Sequence, residues 1–143
     1  PETVSSRVAA AFLFAIETGM RAGEIAALKP STVDTEKRVC RLSETKNGTV
    51  RMVPMSSKAL HIAVKVSCDF NLTPRQIDSN FRKYRDKCGI KNLHFHDSRH
   101  QAITNLAKKI QVLDLARITG ITDLKILMVY YNQTAEEIAK LLD

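Results

Sequence analysis

The hydrophobic spacing of this chain changes between residues 38 and 54, and that change limits the folds open to it. Residues 38–43 and 50–54 have the character of two short strands, and they flank Asn47-Gly48. Asn-Gly is the strongest short hairpin signal, because a type I′ turn needs two residues that tolerate positive φ. The sequence therefore predicts one antiparallel hairpin.

Helical spacing dominates the rest of the chain. Gly19 ends the first helix, and Thr73-Pro74 begins another with proline in its first turn. The first four predicted helices cover residues 3–19, 22–28, about 56–66 and 73–88. The segment 94–100 opens a fifth that continues to about 108, and others cover 111–119 and 123–130, with a last one after Asn132. Residues 31–34 form a turn. The fold class predicted is mainly α with a small antiparallel β-sheet.

The length and composition suit one soluble domain. The chain has 143 residues and 44% hydrophobic residues, enough for one core, so residues 1–143 are treated as a single domain. It begins with proline, which suggests a fragment of a longer protein.

No apolar run reaches the roughly 20 residues of a membrane span. The three cysteines contain no CxxC pair, which fits a reducing bacterial cytoplasm and neither a disulfide framework nor a zinc ribbon.

Positive charge is concentrated in two segments. The net charge is +7, and residues 37–58 and 75–91 hold much of the excess. Such asymmetry is typical of a protein that binds a polyanion, most simply nucleic acid. A solvated basic surface without a partner is the alternative.

Three of the four histidines lie in the segment HFHDSRH, residues 94–100. His96 and His100 have the i, i+4 spacing of a helical zinc pair, but Arg99 between them would repel a dication. The segment could also be a polar helix start without chemistry, and His94 fits that interpretation. His96 and Arg99 share a helical face, and guanidinium binds phosphate oxygens bidentately, so this pair suits a phosphodiester better than a metal.

Four stretches together indicate a family: ETGMRAGEI, ETKNGTVRMVP, HDSRH and LMVYYN. Any one of them occurs by chance. Their order and spacing resemble the catalytic domain of the tyrosine recombinases, the phage integrase family, along essentially the whole chain. The resemblance implies the roles of five residues around one scissile phosphate: Arg21 and Arg99 as the clamp, Lys46 on the hairpin, His96, and Tyr130 as the nucleophile.

Either of two adjacent tyrosines, Tyr130 or Tyr131, could be the nucleophile. The family pattern is a tyrosine, a variable residue, then histidine or asparagine, and Tyr130-Tyr131-Asn132 fits with Tyr130 as nucleophile. Side chains at neighbouring helical positions point about 100° apart, so only one can face the phosphate. Tyr131 is then a packing or DNA-contacting residue.

Three further residues have supporting roles by the same resemblance. Glu24 matches an acidic residue that supports the site, and His100 matches a second histidine after the second arginine. Ile121 stands where the family usually has histidine or tryptophan, and it can donate no hydrogen bond. His96 is expected to accept the proton of Tyr130 or to position it, and Lys46 to protonate the leaving 5′ oxygen.

The resemblance implies site-specific DNA recombination through a 3′-phosphotyrosyl intermediate, with no metal and no cofactor. The partner is double-stranded DNA, contacted by Arg41, Arg51, Arg82 and Lys83. The resemblance also implies that four protomers assemble on two DNA sites during strand exchange, and we expect the isolated chain to be a monomer. The family's DNA-binding domain, which normally precedes this one, is absent from residues 1–143.

Three other functions stay open at this point. They are a type IB topoisomerase, which shares the chemistry but relaxes supercoils, a DNA-binding module weakened in catalysis by Ile121, and a metal-dependent nuclease that uses the histidines.

Overall fold

The structure is a computed structural model that describes residues 3–43 and 50–143. Within these residues the chain forms eight α-helices, one 3-10 turn and three strands. The helices are α1 (Val4–Thr18), α2 (Ala22–Ala26), α3 (Ser57–Lys65), α4 (Pro74–Lys87), α5 (Asp97–Ala107), α6 (Val112–Thr119), α7 (Leu124–Met128) and α8 (Ala135–Leu141), and the 3-10 turn is Pro30–Thr32. The predicted fold class is confirmed.

The strands form one small antiparallel sheet in the order β1 (Val33–Asp34), β2 (Val39–Ser43) and β3 (Val50–Pro54). Ser43 lies opposite Val50, which confirms the antiparallel pairing of the two predicted strands. The prediction of a turn at residues 31–34 missed β1, because a strand of two residues has no periodicity to detect. The predicted turn at Asn47-Gly48 lies outside the described residues.

The start of α4 shows how local sequence fixes a helix boundary. Thr73 is the N-cap, and its Oγ1 accepts a hydrogen bond from the Gln76 amide at 3.1 Å. The Gln76 side chain accepts one from the Thr73 amide at 2.9 Å, which completes a capping box. Pro74 occupies the first helical position, where its missing N–H has no cost.

The main core surrounds α1, which packs against α3, α4 and α5. Phe14 and Ala15 of this helix are fully buried, and Phe14 meets Phe70 with 5.3 Å between ring centroids. Gly19 ends α1 in the left-handed conformation, with φ of 74°. This packing places the C-terminal end of α1 beside α5, which carries the histidine and arginine segment.

A second, smaller core joins α5, α6 and α7. Its buried members are Ile103, Leu115 and Leu127. Tyr130 and Tyr131 are half-buried and pack against this cluster just after α7 ends. The second core therefore fixes where the tyrosine pair lies relative to α5.

The last helix, α8, has no buried residue. The apolar residues near its end are exposed, with Leu141 at 72% and Leu142 at 81%. Its Glu137 and Leu141 line an open groove together with Tyr131. Across residues 3–43 and 50–143, no helix is both long and apolar enough to cross a membrane.

Candidate active site

Arg99 is the buried centre of the candidate site. It lies in the first turn of α5 and is only 4% exposed. Its Nη1 donates to the carbonyl of Gly19 at 2.7 Å, and its Nη2 donates to the carbonyl of Thr119 at 2.6 Å. Both acceptors stand at helix ends, where carbonyls lack helical partners and the helix dipole favours a cation. The guanidinium thus fastens the ends of α1 and α6 to the start of α5.

Arg21 stands at the N-cap of α2, two residues after Gly19. Its backbone amide donates to Glu24 Oε1 at 2.8 Å, which fixes the main chain at this point. Its guanidinium lies 3.9 Å from Glu24 Oε2, and half of the side chain is exposed. The main chain is therefore held while the guanidinium stays accessible to a ligand.

A cavity of about 140 Å³ brings three of the predicted residues together. Arg21, His96 and Arg99 all line it, as do Phe95 and Asp78. Asp78 was not singled out from the sequence, and it forms an ion pair of 3.0 Å with Arg82 on the next turn of α4. The i, i+4 spacing of these two residues was a visible signal for that ion pair.

Tyr130 contacts His100, the last histidine of the segment. Its Oη lies 2.6 Å from His100 Nδ1, with 5.3 Å between the two ring centroids. Burial raises the pKa of the Tyr130 phenol, and the positive charge of Arg99 partly offsets that rise. The phenol is thus in hydrogen-bond contact with the His100 imidazole, and the positive charge of Arg99 acts on it from a greater distance.

Tyr131 is held differently. Its hydroxyl donates to the backbone carbonyl of Ile110 at 2.9 Å. Burial raises the pKa of this phenol, and the negative charge of Asp114 raises it further. A tyrosine whose hydroxyl is bonded to a backbone carbonyl and lies in the field of a carboxylate is a poor nucleophile, so this geometry favours Tyr130.

Arg51 lies inside the protein, where it is 7% exposed. Its Nη2 lies 2.8 Å from Glu24 Oε2, and its Nε donates to the Ile118 carbonyl at 2.9 Å. The expectation that it contacts DNA therefore gives way to a structural position linking β3, α2 and α6. The signal was present in the alternation of β3, since Arg51 stands two residues from the buried Val53 and shares its face.

Gly120 and Ile121 follow α6 directly. Gly120 adopts a φ of 74°, and a Cβ placed there would lie 3.0 Å from Arg51 Nη1. Ile121 is half-buried against the second core, and its amide donates to Thr119 Oγ1 at 3.2 Å. Ile121 therefore contributes apolar packing near the tyrosines and no polar side-chain atom.

The remaining predicted residues fall on the surface or outside the described part of the chain. Arg41 is exposed on β2, on the face opposite the core. Lys83 is also exposed, and its Nζ lies 5.8 Å from the centroid of the Tyr84 ring. Lys46 belongs to the segment between Ser43 and Val50 that is not described.

Among the described residues, no group of three or more histidine, cysteine, aspartate or glutamate side chains is arranged to hold a metal ion. His96 and His100 contact different residues. His96 lines the cavity with Arg21 and Arg99, and His100 contacts Tyr130.

We expect Arg99→Met to lower the free energy of unfolding by about 3 kcal/mol, because two buried carbonyls lose charged donors. Arg21→Met is the matched control, since this half-exposed side chain has only a long ion pair, and its cost should stay within about 0.5 kcal/mol. Urea denaturation of both variants measures the difference. Equal decreases in the free energy of unfolding for the two variants would show that the buried contacts of Arg99 do not stabilise the fold.

Arg51→Met should cost about 2 kcal/mol in unfolding free energy, because Glu24 loses its closest cation and the Ile118 carbonyl its donor. Arg41→Met, on the exposed face of the neighbouring strand, is the control and should cost little. In a double-mutant cycle measured by urea denaturation, Glu24→Gln should lower the free energy of unfolding less in the Arg51→Met variant than in the wild type. Additive costs would show that the Arg51–Glu24 contact is not coupled.

The phage integrase family profile matches residues 1–137 of this chain. A putative integrase/recombinase of Haemophilus influenzae is 42% identical over 150 residues, covering 99% of this chain and 49% of that protein. The shufflon-specific DNA recombinase of Escherichia coli is 33% identical, covering 92% of this chain and 36% of that protein. The chain thus spans half or less of the length of these relatives.

Solved structures show the same fold at low sequence identity. The Tn1549 transposon integrase in complex with circular intermediate DNA superposes with a TM-score of 0.75, at 20% identity, over 99% of this chain and 59% of that one. The catalytic domain of bacteriophage HP1 integrase gives a TM-score of 0.70 at 18% identity, over 96% of this chain and 79% of that one. The resemblance found in the four sequence stretches is confirmed: the chain belongs to the phage integrase family of tyrosine recombinases.

Proposed function

We propose that this chain is the catalytic part of a site-specific DNA recombinase that integrates or excises a mobile element. It cleaves and rejoins strands through a 3′-phosphotyrosyl intermediate. One observation carries the proposal: Arg21, His96 and Arg99 line a single cavity. Family membership and the relatives' names as integrases and recombinases support it.

In this proposal the two arginines stabilise the charge that builds on the non-bridging phosphate oxygens. Arg99 is already fixed by two backbone carbonyls, so its orientation needs no reorganisation when the phosphate arrives. Arg21 is half exposed and can close on the opposite side of the phosphate. Removing such a preorganised donor typically raises the barrier by about 3 kcal/mol. Two guanidiniums supply the positive charge that a divalent ion supplies in other phosphoryl-transfer sites.

Tyr130 attacks the scissile phosphorus, and Lys46 protonates the departing 5′ oxygen. Because burial raises the pKa of Tyr130, its proton has to leave during the attack and not before it. The phosphotyrosyl bond keeps the energy of the broken diester. The 5′ hydroxyl of another strand can therefore reverse the step, and no ATP is needed.

Assembly on DNA is part of the proposal. A homo-tetramer on two duplexes exchanges strands, and a DNA-binding domain preceding this one closes around the duplex. A contact between protomers is supported by three exposed apolar side chains, Ile138 and Leu141 of α8 and Leu142 just after it. Burial against the same protomer is not seen for any residue of α8.

The test of the proposed reaction is capture of the covalent intermediate. We would offer the protein, at the full length its gene encodes, a pool of nicked duplexes of randomised sequence in EDTA, and recover DNA that stays attached in SDS. The adduct should form in the wild type and in Tyr131→Phe, and it should be lost in Tyr130→Phe.

The other outcomes separate the remaining functions. Loss of the adduct in Tyr131→Phe but not in Tyr130→Phe would identify Tyr131 as the nucleophile. Activity that requires a divalent ion would favour the nuclease, and supercoil relaxation without strand exchange would favour the topoisomerase. DNA binding without any adduct would indicate a binding module, and Ile121→His would then test whether the missing polar group is the cause.

The basic surface should show in the salt dependence of DNA binding. Each neutralised phosphate contributes about 0.9 to the slope of log K against log salt. We expect Arg41→Gln and Lys83→Gln each to reduce the slope by roughly that amount. Arg82→Gln should reduce it less, because Arg82 is paired with Asp78 at 3.0 Å. Lys29→Gln is the control, because this lysine is paired with Asp69 at 3.2 Å. An equal reduction in the control would show a net-charge effect only.

A further inference from the structure

The contact between Tyr130 and His100 divides the work of the two histidines. Of the described side chains, His100 is the one within hydrogen-bond distance of Tyr130 Oη, at 2.6 Å. His96, four residues earlier, makes no side-chain hydrogen bond with a described residue and lines the cavity with Arg21 and Arg99. The imidazole that meets the phenol is therefore not the one that meets the arginines.

We propose that His100 is a catalytic residue that accepts the phenolic proton of Tyr130 as this tyrosine attacks, while His96 contacts the phosphate. The proposal rests on the proposed function, and it replaces the expectation that His96 accepts this proton.

The surroundings of Tyr130 explain why a proton acceptor is needed. Burial raises the pKa of the phenol, and the Arg99 charge offsets that only in part. Ile121, which packs against the same cluster, has no side-chain atom that could accept a proton. His100 is exposed on α5, so the charge that it gains can be solvated.

The O–H bond of Tyr130 breaks, its electron pair forms the bond from Oη to phosphorus, and the proton moves to Nδ1 of His100. The bond from phosphorus to the 5′ oxygen breaks, and that oxygen takes a proton from Lys46. Imidazole is a weaker base than phenolate, so the transfer accompanies the attack and does not precede it. In the rejoining step the imidazolium returns its proton to the leaving phenol.

This role requires one tautomer of His100. Nδ1 must carry the lone pair that faces the phenol, so the ring proton lies on Nε2. The exposed position of the ring leaves Nε2 open to water. The opposite tautomer, with Nδ1 donating to Oη, would hold the tyrosine without taking its proton.

The first test uses the rate of adduct formation on a duplex recovered from the randomised pool. In the full-length protein, His100→Ala should slow the adduct by about 10²- to 10³-fold. Replacing Tyr130 by 3,5-difluorotyrosine, a more acidic phenol, should restore most of that loss, since less help is needed to remove the proton. His94→Gln, an exposed histidine in the same segment, is the matched control and should leave the rate unchanged.

Three results would overturn the proposal. An unchanged rate in His100→Ala would show that the contact is incidental. A loss that the fluorinated tyrosine fails to restore would show that His100 only positions the ring. A faster rate would show that His100 holds Tyr130 in a resting position.

A second measurement keeps the proposal testable if His100→Ala folds poorly. The ¹⁵N spectrum of the wild-type histidines, with His100 assigned through His100→Gln, should show Nδ1 unprotonated and shifted by Tyr130→Phe. A protonated Nδ1 in the neutral ring would overturn the proposal. Absence of any adduct in the wild type would instead overturn the proposed function.

Discussion

The arrangement of the site depends on one buried cation. Arg99 is in the first turn of α5, and its guanidinium holds the last carbonyls of two helices that are distant in sequence. Gly19, whose carbonyl is one acceptor, immediately precedes Met20 and Arg21. Thr119, whose carbonyl is the other, precedes the turn that leads to α7 and the tyrosines. A single side chain thus links the chain that leads to Arg21 with the chain that leads to Tyr130.

Burial of this charge has a thermodynamic cost that helix-end carbonyls are suited to offset. They lack helical partners and carry the negative end of the helix dipole. The same carbonyls would be unsatisfied without the arginine, so neither side of the contact is stable alone. This mutual dependence explains why a residue expected to touch substrate is also built into the core of the domain.

Much of the fold follows from the sequence because its signals are local. Thr73 and Pro74 fix the start of α4, and Gly19 fixes the end of α1. The pairing of β2 with β3 follows from their hydrophobic character and spacing. β1 could not be predicted, because it exists only through its pairing with β2.

The site is predictable only in part for the same reason. The family pattern points to Arg21, His96, Arg99 and Tyr130 by order and spacing, and the first three line one cavity. Nothing in that pattern shows that His100, 30 positions before Tyr130, meets the phenol, since this contact depends on tertiary packing that brings the segment after α7 to α5. The charge of Arg51 favours a DNA contact, whereas the alternation of β3 places it on the buried face, and its ion pair with Glu24 depends on tertiary packing.

The position of Arg51 also has a mechanical consequence. β3 begins at Val50, immediately after the segment that carries Lys46, and Arg51 is its second residue. The guanidinium of Arg51 binds Glu24, and Glu24 holds the backbone amide of Arg21. The start of β3 and the backbone of Arg21 are therefore connected through one carboxylate, that of Glu24. A displacement of β3 would pass through Glu24 to the main chain at Arg21, so the sheet and the start of α2 are expected to move together.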